Sequence, residues 1–136
     1  MIKIFSYDQM ENYISSNGVK SDEYYISILS TGGPYGIPIF KKSPNIFTMS
    51  FDDVQNDCLK SKYPDGVGLR WAKAMTASQA DDLCDFIRRI PNNSIINVHC
   101  TWGHSRSKAV ASAIENKPNV GNNLLVYNLI KERLHK

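Results

Sequence analysis

Nine residues, His99-Cys100-Thr101-Trp102-Gly103-His104-Ser105-Arg106-Ser107, lie between an apolar run, Ile95 to Val98, and a stretch of small helix-forming residues, Ala109 to Ile114. The apolar run reads as a buried central strand, and the stretch after the loop reads as a helix that begins at Ser105 or Arg106. A chain that passes from strand to helix in so few residues must turn sharply, and Gly103 can bend there without a Cβ in the way. Such a turn aims backbone N–H groups inward as a nest, and the positive end of the helix dipole lies behind it. Both favour a tetrahedral anion without any metal. Arg106 adds a planar fork that grips two oxygens at once, which a lysine cannot do. Thr101, Trp102, Gly103, His104, Ser105 and Arg106 are therefore the expected wall of a phosphate cradle.

The features that favour a bound anion also favour a thiolate. A free cysteine, with a pKa of about 8.5, is only a few per cent ionised at neutral pH, so Cys100 gains from the helix end, the amide nest and Arg106. The plainer reading, a cysteine packed in the core as a small hydrophobe, does not account for the glycine and arginine that accompany it. The pattern His-Cys-x-x-Gly-x-x-Arg-Ser/Thr arises by accident in a chain of this size with a probability on the order of 10⁻⁵.

HCTWGHSRS resembles the HCxxGxxRS signature of the cysteine-dependent protein tyrosine phosphatase superfamily, in particular its compact dual-specificity-like branch. Phe51-Asp52-Asp53-Val54 is similar to the general-acid segment of the small members. TASQADDLCDFI, starting at Thr76, is similar to the helix they place before the signature strand. The likeness covers residues 46–136, and Trp102 and His104 depart from the small and aliphatic residues usual in the loop. The resemblance implies a phosphomonoester hydrolase that uses no cofactor and no metal and acts on a phosphorylated protein or peptide. Cys100 would attack phosphorus and form a cysteinyl-phosphate, while Arg106 and the loop amides hold the equatorial oxygens. Ser107 would help the sulfur leave in the second step; first-turn capping is its ordinary alternative.

The leaving oxygen needs a proton, so a carboxylic acid is expected from another loop. Asp53 is favoured because it ends a predicted strand, which fixes position better than an irregular segment does. Asp52 beside it stays open. So does Asp65, in Tyr63-Pro64-Asp65-Gly66, which looks like the WPD loop of tyrosine phosphatases and lies nearer to Cys100 in sequence. His99, on the strand before the nucleophile, is expected to hold the loop backbone, and His104 to face the pocket rim, where a protonated ring attracts phosphate.

Other functions remain open. The substrate could be a phosphoinositide or an RNA 5′-phosphate, although the loop lacks the lysines that help to bind inositol phosphates. A phosphate-binding pseudophosphatase would have no need of the nucleophile. A rhodanese-like sulfurtransferase also carries a cysteine in a loop after a central strand, but the gap to Arg106 and the internal Gly103 suit phosphate better.

The 136 residues fit one domain, 1–136, and 42% hydrophobic content suffices for a single core. A net charge of +3 suits an anionic substrate and is too small to argue for nucleic acid. The N-terminal segment has no long apolar region and no stretch suits a membrane span, so a cytoplasmic location without membrane association is expected, while the oligomeric state stays open with a monomer favoured. Cys58, Cys84 and Cys100 form neither a disulfide framework nor a metal-binding spacing. Cys84 is expected to pack in the core, and Cys58 to be an exposed thiol or a disulfide partner that protects Cys100 under oxidation.

Strands are expected at Ile2 to Phe5, Tyr24 to Leu29, Asn45 to Phe51 and Ile95 to Val98. Capping boxes, Ser6 with Gln9 and Thr76 with Gln79, should open two helices. The second of these carries Ala80, Leu83, Ile87 and Ile90 inward and stops by Pro91. A helix should follow the phosphate loop and stop before Pro118, and a final one should span Leu124 to Leu134 with Leu125, Leu129 and Ile130 inward. Residues 54–75 read as a short helical or irregular insertion. Strands alternating with helices indicate an α/β fold, a central mostly parallel sheet flanked by helices with the cysteine loop between a central strand and a helix.

Overall fold

Each of the four expected strands forms, and all four join one wholly parallel sheet. The computed structural model describes residues 1–61 and 69–135. Strands β1 (Ile2–Phe5), β2 (Tyr24–Leu29) and β3 (Ile46–Ser50) come from the first part of the chain. A second, two-stranded antiparallel sheet of β4 (Cys58–Ser61) and β5 (Leu69–Ala72) follows, and the last strand is β6 (Ile96–His99). The order across the main sheet is β1-β6-β2-β3, so β6 is inserted between two strands made long before it. Val98 pairs with Ile4 on one side and Ile26 on the other. All four residues of β6 are buried, as an apolar strand covered on both faces requires.

Among the described residues four α-helices flank the sheet: α1 (Tyr7–Asn17), α2 (Ala77–Arg88), α3 (Arg106–Ile114) and α4 (Leu124–Leu134). Both capping boxes form as read. Ser6 and Thr76 each accept from the amide three residues on, and Gln9 and Gln79 each reach back to the cap amide. The main core lies where α2, α3 and α4 meet one face of the sheet, through Leu83, Cys84, Val110 and Ile130 packed on Ile28, Phe51 and Val98. Cys84 is fully buried there, and burial pushes its thiol up. On the opposite face α1 and the segment after β2 cover Tyr25 and His99, with the Tyr7 and Phe40 rings against that histidine. No helix of the described residues is long and apolar enough to cross a membrane.

Two expectations need correction. Within residues 54–75, expected to be a helical or irregular insertion, Cys58–Ser61 and Leu69–Ala72 instead pair antiparallel, with Cys58 opposite Ala72. Strands of four residues are too short to show a period, so cross-strand pairing decides them. In α4 the buried residues are Val126, Tyr127 and Ile130, while Leu125 is only half-buried and lies outside the core cluster. The buried side of the helix starts from Val126, beside the buried N-cap Asn123 whose side chain accepts from the Val126 amide.

Candidate active site

The site grows out of the C-terminal end of β6, where the sheet's middle strand stops and α3 begins. Between them the chain bends from Cys100 to Ser105, with Gly103 at a φ of 74°. A Cβ at Gly103 would stand 3.0 Å from the Phe5 carbonyl carbon and the Ser6 nitrogen, so the loop passes directly over the end of β1. Positive φ and this close approach both select glycine. The Tyr7 amide donates to the Thr101 carbonyl at 3.0 Å, and the Cys100 amide to the Phe5 carbonyl at 3.4 Å. The loop is thus tied to the start of α1 as well as to the sheet.

Cys100 is 2% exposed, at the base of a cleft of about 410 Å³. Its Sγ lies 3.2 Å from Ser107 Oγ and accepts from the Gly103 amide at 3.3 Å. Burial by itself would raise the thiol. It is outweighed by the Ser107 hydroxyl and amide, by the Arg106 charge and by the Gly103 amide, so the Cys100 thiol is held below the ordinary cysteine range. Ser107 lies in the first turn of α3 with its hydroxyl on the sulfur, not in the cap position, which Ser105 occupies.

Arg106 is 4% exposed. Its Nη1 donates to the Phe51 carbonyl and its Nη2 to Thr101 Oγ1, both at 2.7 Å. Thr101 Oγ1 in turn shares a hydrogen bond with Ser30 Oγ at 3.1 Å. The guanidinium is therefore braced against the end of β3 and the loop after β2, and Arg106 is part of the cleft lining.

His99 acts as a strut. Its Nδ1 lies 3.2 Å from the Cys100 carbonyl and its Nε2 2.6 Å from Ser27 Oγ. Since a carbonyl only accepts, Nδ1 carries the proton and Nε2 accepts from the serine. Burial, reinforced by Arg106 and opposed by the Cys100 carbonyl, lowers its pKa to about 4, so the ring is neutral at physiological pH.

The two adjacent aspartates have different surroundings. Asp52 is 4% exposed and accepts from the Thr31 amide and hydroxyl and from the Lys73 amide, so it ties the loop after β2 to the end of β5. Asp53 is exposed at the cleft wall, and its Oδ1 accepts from Ser105 Oγ at 2.8 Å and Asn123 Nδ2 at 3.0 Å. Asp65 lies outside the described residues.

Of the expected cradle residues, Thr101, Trp102, His104, Ser105 and Arg106 line the cleft with Cys100, and Gly103 carries the amide beneath the sulfur. The Thr101 hydroxyl is engaged by Arg106 and Ser30. Trp102 and His104 are exposed at the mouth, and the Trp102 ring lies against Tyr35, centroids 5.8 Å apart. Sequence reasoning missed Ser30, Ala72 and Asn122 in the lining, the Phe51 carbonyl behind Arg106, and Asn123 behind Asp53. Only Asn123 had a local signal, an asparagine placed just before an apolar helical run. Cys58 is half-buried and, like Cys84 and Cys100, a free thiol; its strand partner Ala72 is part of the cleft lining.

Comparison with protein-family models, curated proteins and solved structures finds no match for this chain. The site is therefore read from its own geometry. A buried sulfur with a lowered pKa lies at a helix N-terminus, beside a braced guanidinium, in a cleft whose wall carries one exposed carboxylate. Such a set can attack an electrophile that arrives with several anionic oxygens, and can supply a proton to what leaves.

Proposed function

We propose that this protein is a phosphomonoester hydrolase that works through a cysteinyl-phosphate, acting on a phosphorylated protein or peptide as a tyrosine or dual-specificity phosphatase does. The observation that carries this is the Cys100 sulfur, held by Ser107 Oγ and the Gly103 amide beside the Arg106 guanidinium. The HCTWGHSRS likeness to the phosphatase signature points the same way.

The thiolate attacks phosphorus in line with the scissile P–O bond. Arg106 and the loop amides hold the equatorial oxygens, where charge sits in the transition state. The electron pair of the breaking bond passes to the leaving oxygen, which takes the Asp53 proton. In the second step Asp53, now a carboxylate, accepts a proton from water as that water attacks phosphorus. The P–S bond breaks, and Ser107 donates to the sulfur that recovers its charge. A nucleophile of this kind needs a reducing compartment, which supports a cytoplasmic location.

Hydrolysis of para-nitrophenyl phosphate by the purified chain, with Cys100→Ser lowering kcat by about 10³-fold or more, is the expected result. Rapid quenching in acid should trap phosphate on the wild-type protein and none on the variant. Retained phosphopeptide binding without turnover would make the chain a binding module instead. Cyanide-dependent sulfur transfer from thiosulfate without ester hydrolysis would make it a sulfurtransferase.

A further inference from the structure

Asn123 lies far from the phosphate loop in sequence, yet it reaches the loop's chemistry. It is 2% exposed, and its Oδ1 caps α4 by accepting from the Val126 amide at 3.1 Å. Its Nδ2 donates to Asp53 Oδ1 at 3.0 Å and to the Val54 carbonyl at 3.3 Å. Ser105 Oγ donates to the same carboxylate oxygen at 2.8 Å. Among the described residues, Asp53 Oδ2 carries no hydrogen bond. The register of Asn123 is set by Gly121, where a Cβ would stand 2.4 Å from the Ser105 carbonyl oxygen and 2.8 Å from the Ala109 nitrogen. The segment entering α4 therefore lies directly on the start of α3.

From this geometry we infer that Asn123 is a positioning residue for Asp53: together with Ser105 it engages Oδ1, so that Oδ2 is the oxygen that carries the transferable proton at the cleft wall. The inference rests on the hydrolase reading above. In the acid form Oδ1 is the carbonyl oxygen and accepts both hydrogen bonds, leaving the Oδ2 hydroxyl to donate. When the P–O bond breaks, the leaving oxygen takes the bond pair and the Oδ2 proton and departs as an alcohol or phenol. Asp53 remains as a carboxylate in the same place, ready to take a proton from the attacking water. Rotation of the carboxyl, which would turn the proton away from the ester, requires breaking one or both Oδ1 hydrogen bonds.

The test must separate capping from positioning. Asn123→Ser keeps a good N-cap oxygen but removes the amide donor. Phenyl phosphate, whose poor leaving group needs a proton, and para-nitrophenyl phosphate, whose leaving group needs far less, are compared with wild type, Asn123→Ser, Asp53→Asn and the double variant. Asn123→Ser is expected to lower kcat about 10-fold on phenyl phosphate and less than about 3-fold on the nitrophenyl ester, with KM unchanged. In the Asp53→Asn background the same change should have almost no effect on either ester, because the proton it positions is gone. Equal losses on both esters, no loss on either, or a full Asn123→Ser effect in the absence of the Asp53 carboxyl would each overturn the inference while the hydrolase reading stands. If the wild-type chain hydrolyses neither ester, the hydrolase reading fails first and takes this inference with it.

Discussion

The two halves of the site are built differently. The half that carries Cys100 is internal: Cys100, Thr101, Ser105, Arg106 and Ser107 are all buried, and His99 braces them from β6 with both ring nitrogens engaged. The half that carries Asp53 is mounted on the surface. Asp53 is exposed, held by two donors on one oxygen, while the buried anchor beneath it is its neighbour Asp52. On the proposed reading one half couples chemistry to folding and the other separates them, with stability resting on the buried Asp52 and proton transfer assigned to Asp53. Changes in the loop should cost both activity and stability, whereas changes at Asp53 should cost activity alone, and only on esters that need the proton.

Arg106→Lys gives the strongest test of this contrast. Loss of the fork should lower kcat/KM about 10²- to 10³-fold on every ester, and loss of the brace to Phe51 and Thr101 should lower the midpoint of thermal unfolding as well. Asp53→Asn should leave that midpoint unchanged. If the two variants unfold alike, the division between halves is wrong.

A second test uses pH. His99 binds its proton only near pH 4 in the folded protein, against 6.5 for the free side chain, mainly because it is buried. Above the free value the ring is neutral in both states and contributes no slope. Between 6.5 and about 4 the unfolded chain takes up a proton that the folded one refuses, so stability falls as pH falls through this window. The total loss is expected to be about 3 kcal/mol and to level off below it. Urea unfolding over a pH series would measure the slope, and His99→Gln should remove this component whatever its effect on stability at neutral pH. A wild-type curve that is flat across the window would mean the strut is not a neutral buried ring.

Ser107→Ala is the smallest change. It removes one donor from the sulfur while the Gly103 amide and Arg106 remain, so the thiol should shift upward and iodoacetamide should alkylate it about 10-fold more slowly at mildly acidic pH. An unchanged alkylation profile would assign Ser107 to packing.

The sequence made visible what is local. The strand–loop–helix that carries Cys100 could be read because its glycine, its arginine and the start of its helix lie close together in the chain, and both capping boxes because their partners are three residues apart. Asp53 was readable as a strand end, but its division of labour with Asp52 was not: Asp52 is captured by Thr31 and Lys73, each 21 positions away. Asn123 shows the same limit more strongly, since its cap signal was present while its bond to Asp53 spans 70 positions. The β4–β5 pairing stayed hidden because each strand is four residues long and its pattern is completed only by the other.

The sheet order has a kinetic consequence. β2 and β3 are near neighbours in the chain and can pair early, but β1 meets the sheet only through β6, which lies more than ninety positions later. The central strand is thus the last one synthesised, and the step that admits it joins β1 to the sheet, draws the loop over Phe5 and starts the helix behind the sulfur. Until that step is finished Cys100 has the reactivity of any thiol in an unfolded chain. Its acidification would mark the moment at which folding is complete.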